Sequence, residues 1–379
     1  MNELKGNSNK FDLIIDSPGR INIIGEHTDY NNGFVLPTAI DKKIQFKFRK
    51  NESASNCTVF SANFNTSFSF DLKEVKRSEH QWENYILGVI DGIQKETNKL
   101  QGFDCVLDSN IPVGSGISSS AALECGLAFG LNELFNLGLS KIKMVEIGQM
   151  AEHNYVGTKC GIMDQFASVM SKAGQVILLD CQSLDYEYVP IKIKPYKILL
   201  LNTNVSHNLA DGEYNKRRSM CEQGVAIIQK KYCEVKSLRD VSPEMLAEFK
   251  GELDETTFNR CSYVVDEKVR VLNTVAALKE NKLNVMGENM YETHEGLSKL
   301  YEVSCPELDF LVDFSKNYHE VIGSRMMGGG FGGCTINIIH EDALENFTAA
   351  AEETYFKKFN IKLTAFEANP SEGTSIAKK

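Results

Sequence analysis

At 379 residues the chain is long enough for two domains, and 42% hydrophobic with 24% charged residues is the makeup of a globular protein that closes its core without disulfides or metals. A net charge of −10 argues against a general nucleic-acid binder, whose footprint is basic, yet leaves room for an anionic nucleotide at a local site with its own metal. Ten scattered cysteines without zinc spacing, a polar stretch over residues 1–10 and no apolar run of membrane-spanning length point to a reduced, cytoplasmic protein.

Residues 11–16 read as a strand, and Ile44, Phe46 and Phe48 alternate with polar neighbours as on a half-buried one. Residues 64–72 alternate in the same way. Helical spacing follows over 83–97, with Tyr85, Ile86, Val89, Ile90 and Ile93 on one side. A strand at 103–108 leads through Pro112 and a Gly/Ser loop into an apolar helix at 118–137; Ser140 is placed to cap the next, which runs to about Tyr155. Strands are predicted at 175–180 and 196–201. Helices are predicted at 212–231, 256–280 and 283–301, then a strand at 334–339 and a helix at 342–359. Strands and helices interleave without strict βαβ alternation, so the expected class is α+β in two domains, 1–185 and 186–379.

Three segments stand out. In the first, Arg20, Glu26, His27, Thr28, Asp29 and Tyr30 crowd a glycine-punctuated stretch beside Ile21, Ile23 and Ile24. So many donors and acceptors suit a polyhydroxylated ligand. On composition alone a polar surface turn accounts for them as well, but the isoleucines suggest a loop anchored on a core. The second runs Gly114, Ser115, Gly116, Ile117, Ser118, Ser119, Ser120 into the apolar helix. Glycines and the free amides of a helix start suit phosphate; a Gly/Ser turn with a cap is the plainer alternative, and no Gly-Lys-Ser/Thr follows as in a Walker loop. The third, residues 325–334, holds five glycines between Gly328 and Gly333 and leads into a strand, which fits a hinge poorly. Between them Glu152 and Asp164 sit in apolar surroundings, where acids are rare unless paired or put to use.

Together, in this order, the segments resemble the motifs of the GHMP kinases, and residues 19–37 are similar to the signature of that superfamily's galactose-phosphorylating branch. The resemblance extends to Trp82 and its neighbours, to 161–165 and to 213–218, and so spans most of the chain. It implies a two-domain α+β fold with the active site in the cleft between domains, and transfer of the ATP γ-phosphoryl group to the C1 hydroxyl of D-galactose. Asp164 then matches the catalytic base and Arg20 the transition-state arginine. Ser120 and Glu152 match the Mg²⁺ ligands, Gly114 to Ser120 the triphosphate loop, and Trp82 an aromatic near the base. Glu26, His27, Thr28, Asp29 and Tyr214 match the sugar positions. The partners implied are small molecules, with no nucleic acid, no membrane and a monomeric state. Kinases for N-acetylgalactosamine or arabinose, and non-catalytic sensors of galactose and ATP, share the resemblance; in the sensors the serine stretch that stands intact here at 118–122 is disabled.

Overall fold

The computed structural model describes residues 11–206 and 210–377; the polar segment 1–10 lies outside the described residues. The first part of the chain forms β1 (Leu13–Asn22), β2 (Phe34–Val35), β3 (Pro37–Lys50), β4 (Asn56–Ser61), β5 (Thr66–Asp71), α1 (Gln81–Glu96) and β6 (Phe103–Ser109). There follow α2 (Ser119–Phe135), α3 (Lys141–Ala151), α4 (Met163–Met170), β7 (Gln175–Asp180) and β8 (Tyr186–Pro190). The second part contains β9 (Tyr196–Ser206), α5 (Ala210–Ile228), α6 (Pro243–Ala247), α7 (Glu255–Lys279), α8 (Leu283–Glu295) and α9 (Pro306–Ser315). It ends in β10 (Val321–Met326), β11 (Gly332–His340), α10 (Leu344–Phe359), β12 (Thr364–Glu367) and β13 (Ser375–Ile376).

Three sheets result, ordered β13-β1-β3-β6-β4-β5, β10-β11-β9-β12 and β2-β7-β8. The predicted alternation of Ile44, Phe46 and Phe48 is realised on β3, where all three are buried. Phe46 and Phe48 stack in parallel, centroids 5.7 Å apart, under α2. That helix lies flat on them because Gly126 and Gly130, one turn apart, carry no Cβ: one built there would stand 2.1 Å from Phe46 and 2.0 Å from Phe48. The main core runs on from this sheet into Leu200 of β9 and Ile336 of β11, so one apolar interior joins both halves.

Two helices expected to run unbroken widen into π turns instead. The helix capped by Ser140 changes at Glu152–Val156, and the one from 283 at Gly296–Leu300. The Glu152 carbonyl then accepts from the amides of Gly157 and Thr158, which turns the chain toward α4. Such turns recur at functional sites. β8, which begins after the expected division at 185/186, pairs back with β7, and β13 returns from the far end to the edge of β1. All ten cysteines are free thiols and eight are buried, as small apolar residues. No helix among the described residues is long and apolar enough to cross a membrane.

Candidate active site

β1 slips out of register with β3 between Pro18 and Arg20. The Arg20 amide bonds instead to the Ile117 carbonyl at 3.0 Å, which seats the start of the first motif on the second. The buried guanidinium grips Asp164 with two parallel bonds, Nε to Oδ1 at 2.7 Å and Nη2 to Oδ2 at 2.8 Å, while Nη1 donates to the Gly116 carbonyl at 2.7 Å. Two-pronged geometry of this kind is the strong form of an arginine–carboxylate contact. Ser118 donates to the same Oδ2. Asp164 stands in the first turn of α4, and its side chain keeps 28% of its surface exposed, so a substrate hydroxyl can still reach it.

The second motif departs from expectation in its side chains. Ser115 is buried with its hydroxyl on the Pro112 carbonyl, 2.7 Å away, and Ser118 faces Asp164. Both hydroxyls are thus engaged within the protein. Gly114 and Gly116 adopt φ near +70°, Ser118 is also left-handed, and Ile117 is the buried anchor. Ser119 and Ser120, in the first turn of α2, line a cavity of about 330 Å³ together with Trp82, Tyr85, Phe64 and Val113. The third motif lies directly against the second: a Cβ on Gly328 would approach the Gly116 carbonyl to 3.1 Å. This contact explains glycine there better than flexibility does.

The first motif is held from outside. Arg325, fully buried on β10, donates to the carbonyl of Ile23 (2.9 Å), to that of Asn22 and to Oε1 of Glu26 (3.0 Å). The Gly328 amide reaches the same Oε1 at 3.0 Å. Glu267 of α7 accepts from the Gly25 amide at 2.8 Å and is itself held by Arg270 and Thr293. Tyr263 donates to the Glu26 carbonyl. Arg325 opens the third segment but was given no role from the sequence, and Glu267 was not singled out; the only signal for it was an acid inside a helical repeat.

Two of the expected sugar positions also carry bonds that shape the loop itself. Thr28 turns its hydroxyl inward onto the carbonyls of Gly25 (2.8 Å) and Phe34 (2.6 Å), where it closes the loop. Glu26 is engaged by Arg325, so at least half of its carboxylate is structural. His27, at φ +62°, packs among Tyr30, Tyr214 and Tyr301, with Nδ1 2.7 Å from the Tyr30 hydroxyl. Burial, and then the charge of Arg217, lower its pKa to about 3, so the imidazole is neutral. Asp29 is buried with the Tyr30 amide as its partner, and Gly161 makes room for it: a Cβ there would stand 2.0 Å from Oδ2. Burial first, and the nearby charge of Asp164 second, raise its pKa to about 7. Tyr214 faces the same region, its phenol pushed up by burial and then by Asp29.

Glu152 is buried at the start of its π turn. Beside it sequence reasoning missed Glu124, one turn beyond Ser120 on α2. Burial, then the charge of Glu152, hold its pKa well above the usual range, and Gln165 donates to it at 3.0 Å. A lone acid in the apolar run of residues 119–131 was the available signal. Asp29 feels the charge of Asp164, and Glu124 feels those of Glu152 and Asp164, so the four acids lie within electrostatic reach of one another.

A glycine-lined helix start, a gripped carboxylate and a polar loop between two sheets define a small-molecule kinase of the GHMP type. The family models agree: GHMP kinases N terminal domain matches residues 84–172, GHMP kinases C terminal matches 274–357, and the galactokinase galactose-binding signature matches 4–50. The galactokinase of Thermosipho africanus is 45% identical over 96% of this chain and 99% of its own length; that of Thermotoga maritima is 39% identical over 95% and 98%. The crystal structure of Lactococcus lactis galactokinase complexed with galactose superposes with a TM-score of 0.94 at 32% identity, over 99% of this chain and 97% of that one. Methanococcus jannaschii mevalonate kinase, at 19% identity and a TM-score of 0.64 over 97% and 100%, shares the fold. The chain belongs to the galactokinase family.

Proposed function

We propose that this enzyme transfers the γ-phosphoryl group of ATP to the C1 hydroxyl of D-galactose, with Asp164 as proton acceptor. The observation that carries the reading is the Arg20–Asp164 pair at the junction of the serine loop and the sugar-signature loop. Phosphoryl transfer passes through a loose transition state, so a site works mainly by positioning and charge. Asp164, oriented by Arg20 and Ser118, accepts the proton of the attacking hydroxyl. Arg20 offsets charge on the transferring group. Asp29, His27 and Tyr214 hold the sugar, with Glu26 shaping the loop that presents them. Trp82 and its neighbours receive the base, and backbone amides at 114–120 with the Ser119 and Ser120 hydroxyls receive the phosphates.

Magnesium fits the donor set. Glu152 is buried close enough to Glu124 to suppress its ionisation, and Glu124 is one turn from Ser120, so the carboxylate lies alongside the first turns of α2. One carboxylate and one hydroxyl, completed by phosphate oxygens and water, suit a hard cation. Ser120 and Glu152 would hold it, and it would neutralise phosphate charge there. We place the division of the two lobes at 185/186, with the crossing completed before β9, and read the protein as a monomer acting in the cytoplasm. Incubation with Mg-ATP and galactose should yield galactose 1-phosphate, identified by phosphorus NMR; no 1-phosphate from galactose would defeat the proposal.

The raised pKa of Asp29 gives a second expected result. As an acceptor for sugar hydroxyls it binds best ionised. Galactose affinity should therefore rise as pH climbs toward about 7 and level off above it. Below, it should weaken by about tenfold per pH unit. The unliganded protein moves the other way. Asp29 is protonated in the folded state between its ordinary 3.8 and about 7, so its contribution to stability is lost as pH rises through that window. Calorimetric titration with galactose on both sides of neutrality checks this, and Asp29→Asn should flatten the profile.

A further inference from the structure

We propose that Thr374, acting with Ser17 and Ser168, is a positioning residue that sets the Arg20–Asp164 geometry from behind. The proposal rests on the reading of that pair as the phosphoryl-transfer site. Arg20 follows the bulge in β1; Ser17 and Pro18 immediately precede it. Asp164 opens α4, and Ser168 lies one turn further along the same face. β1 and α4 therefore meet at two ties: Arg20 with Asp164 in front, and Ser168 Oγ donating to the Pro18 carbonyl at 2.9 Å behind.

Residues 369–377 close the second tie. They run back from the second half of the chain, Ser371 bonding Ala39 and Gly373 bonding Ser171, before β13 joins β1. Thr374 is buried among them. Its amide donates to the Ser168 carbonyl at 2.7 Å, and its hydroxyl reaches the same carbonyl at 2.9 Å and Ser17 Oγ at 2.9 Å. Three buried hydroxyls have three protons to place. Ser168 gives its proton to Pro18 and Thr374 gives its own to the Ser168 carbonyl, which leaves Ser17 to donate within the cluster, to Thr374 Oγ1 at 2.9 Å or across the longer 3.4 Å to Ser168 Oγ. Every proton then has an acceptor, and the Thr374 side chain fastens β1 to α4 three residues from Arg20 and one turn from Asp164. Buried polar groups left without partners are costly, so the cluster holds as a unit.

The sugar loop is gripped separately by Arg325 and Glu267, and no bond of the cluster reaches residues 114–120. Loosening the cluster should thus disturb transfer and leave substrate binding alone. Thr374→Val removes the hydroxyl and keeps the shape. The expected result is a fall in kcat of roughly tenfold, as small misplacements at a reacting pair produce, with KM for galactose and ATP each within about twofold of wild type. Thr374→Ser, which restores the hydroxyl, should recover at least about half of kcat. A kcat change under about twofold, a rise in both KM values at constant kcat, or an equally impaired serine variant overturns the proposal. If the valine variant does not fold, Ser17→Ala, at the other end of the same bond, serves for the same comparison. The Arg20 Nε–H resonance, identified by its loss in Arg20→Lys, reports on the pair without turnover. It should shift in the valine variant and return in the serine one; a resonance at the wild-type position in both sinks the idea. A wild type inactive on galactose would defeat the functional reading instead, and the resonance would still decide this one.

Discussion

Asp164→Asn is expected to leave a folded protein that binds galactose and ATP and turns over about 10²–10⁴-fold more slowly. Asparagine keeps the shape of the side chain but offers one acceptor oxygen where Arg20 now finds two, at 2.7 and 2.8 Å. Its amide group turns a donor toward a donor, so the arginine loses one prong as well as its counter-charge. Two terms fall together: proton acceptance at the sugar hydroxyl, and the placement of the cation that offsets transferring charge. The Gly116 carbonyl still accepts from Arg20, and the α4 core residues Met163, Phe166 and Val169 are untouched, so the fold should survive. Thermal unfolding and galactose titration of the variant belong beside the kinetic measurement. More than about half of the wild-type kcat in a folded variant would remove Asp164 from proton acceptance.

Discrimination between galactose and glucose should be comparably large, on the order of 10⁴ in kcat/KM, as for sites built to pair a substrate hydroxyl. The two sugars differ only at C4, where the hydroxyl is axial in one and equatorial in the other. Asp29 is buried in a pocket that exists because Gly161 has no side chain, so neither the carboxylate nor its surroundings can follow a displaced hydroxyl. His27 is neutral and locked by Tyr30, which fixes where it can donate or accept. Each polar group left unpaired costs roughly 1–3 kcal/mol, more when charged. Measuring both sugars at saturating Mg-ATP decides the matter: ratios within about tenfold would point to a general hexose kinase.

Much of this architecture could be read from the residues in order. The strand at 175–180 falls where the apolar run places it, and the helix at 255–279 follows its 3.6-residue spacing to within a residue. Arg20, the serine loop and Asp164 were identifiable as a set, and the structure brings them into direct contact. What escaped were features without a local signature. β10 carries a buried arginine and a glycine in six residues, so neither alternation nor hydrophobicity marks it as a strand. Thr28 and Ser118 stood in the right motifs, yet the partners of their hydroxyls depend on how the loop folds back. The structural bond of Glu26 was hidden because the arginine that makes it is 299 positions away.

That separation bears on how the molecule comes to exist. The Asn22, Ile23 and Glu26 contacts all wait for Arg325, and the Gly25 amide waits for Glu267, 242 residues later. Contacts so distant in sequence form late, because the chain entropy of closing them is lost before they repay it. As the chain emerges from the ribosome, the sheet around β3 can assemble on local pairings while the sugar-binding loop is still without most of its anchors. The enzyme therefore acquires its specificity last. A growing chain with four-fifths of its residues made would possess the serine loop, Asp164 and Glu267, but Glu26 would have no Arg325 to meet, and the first motif would lack that anchor.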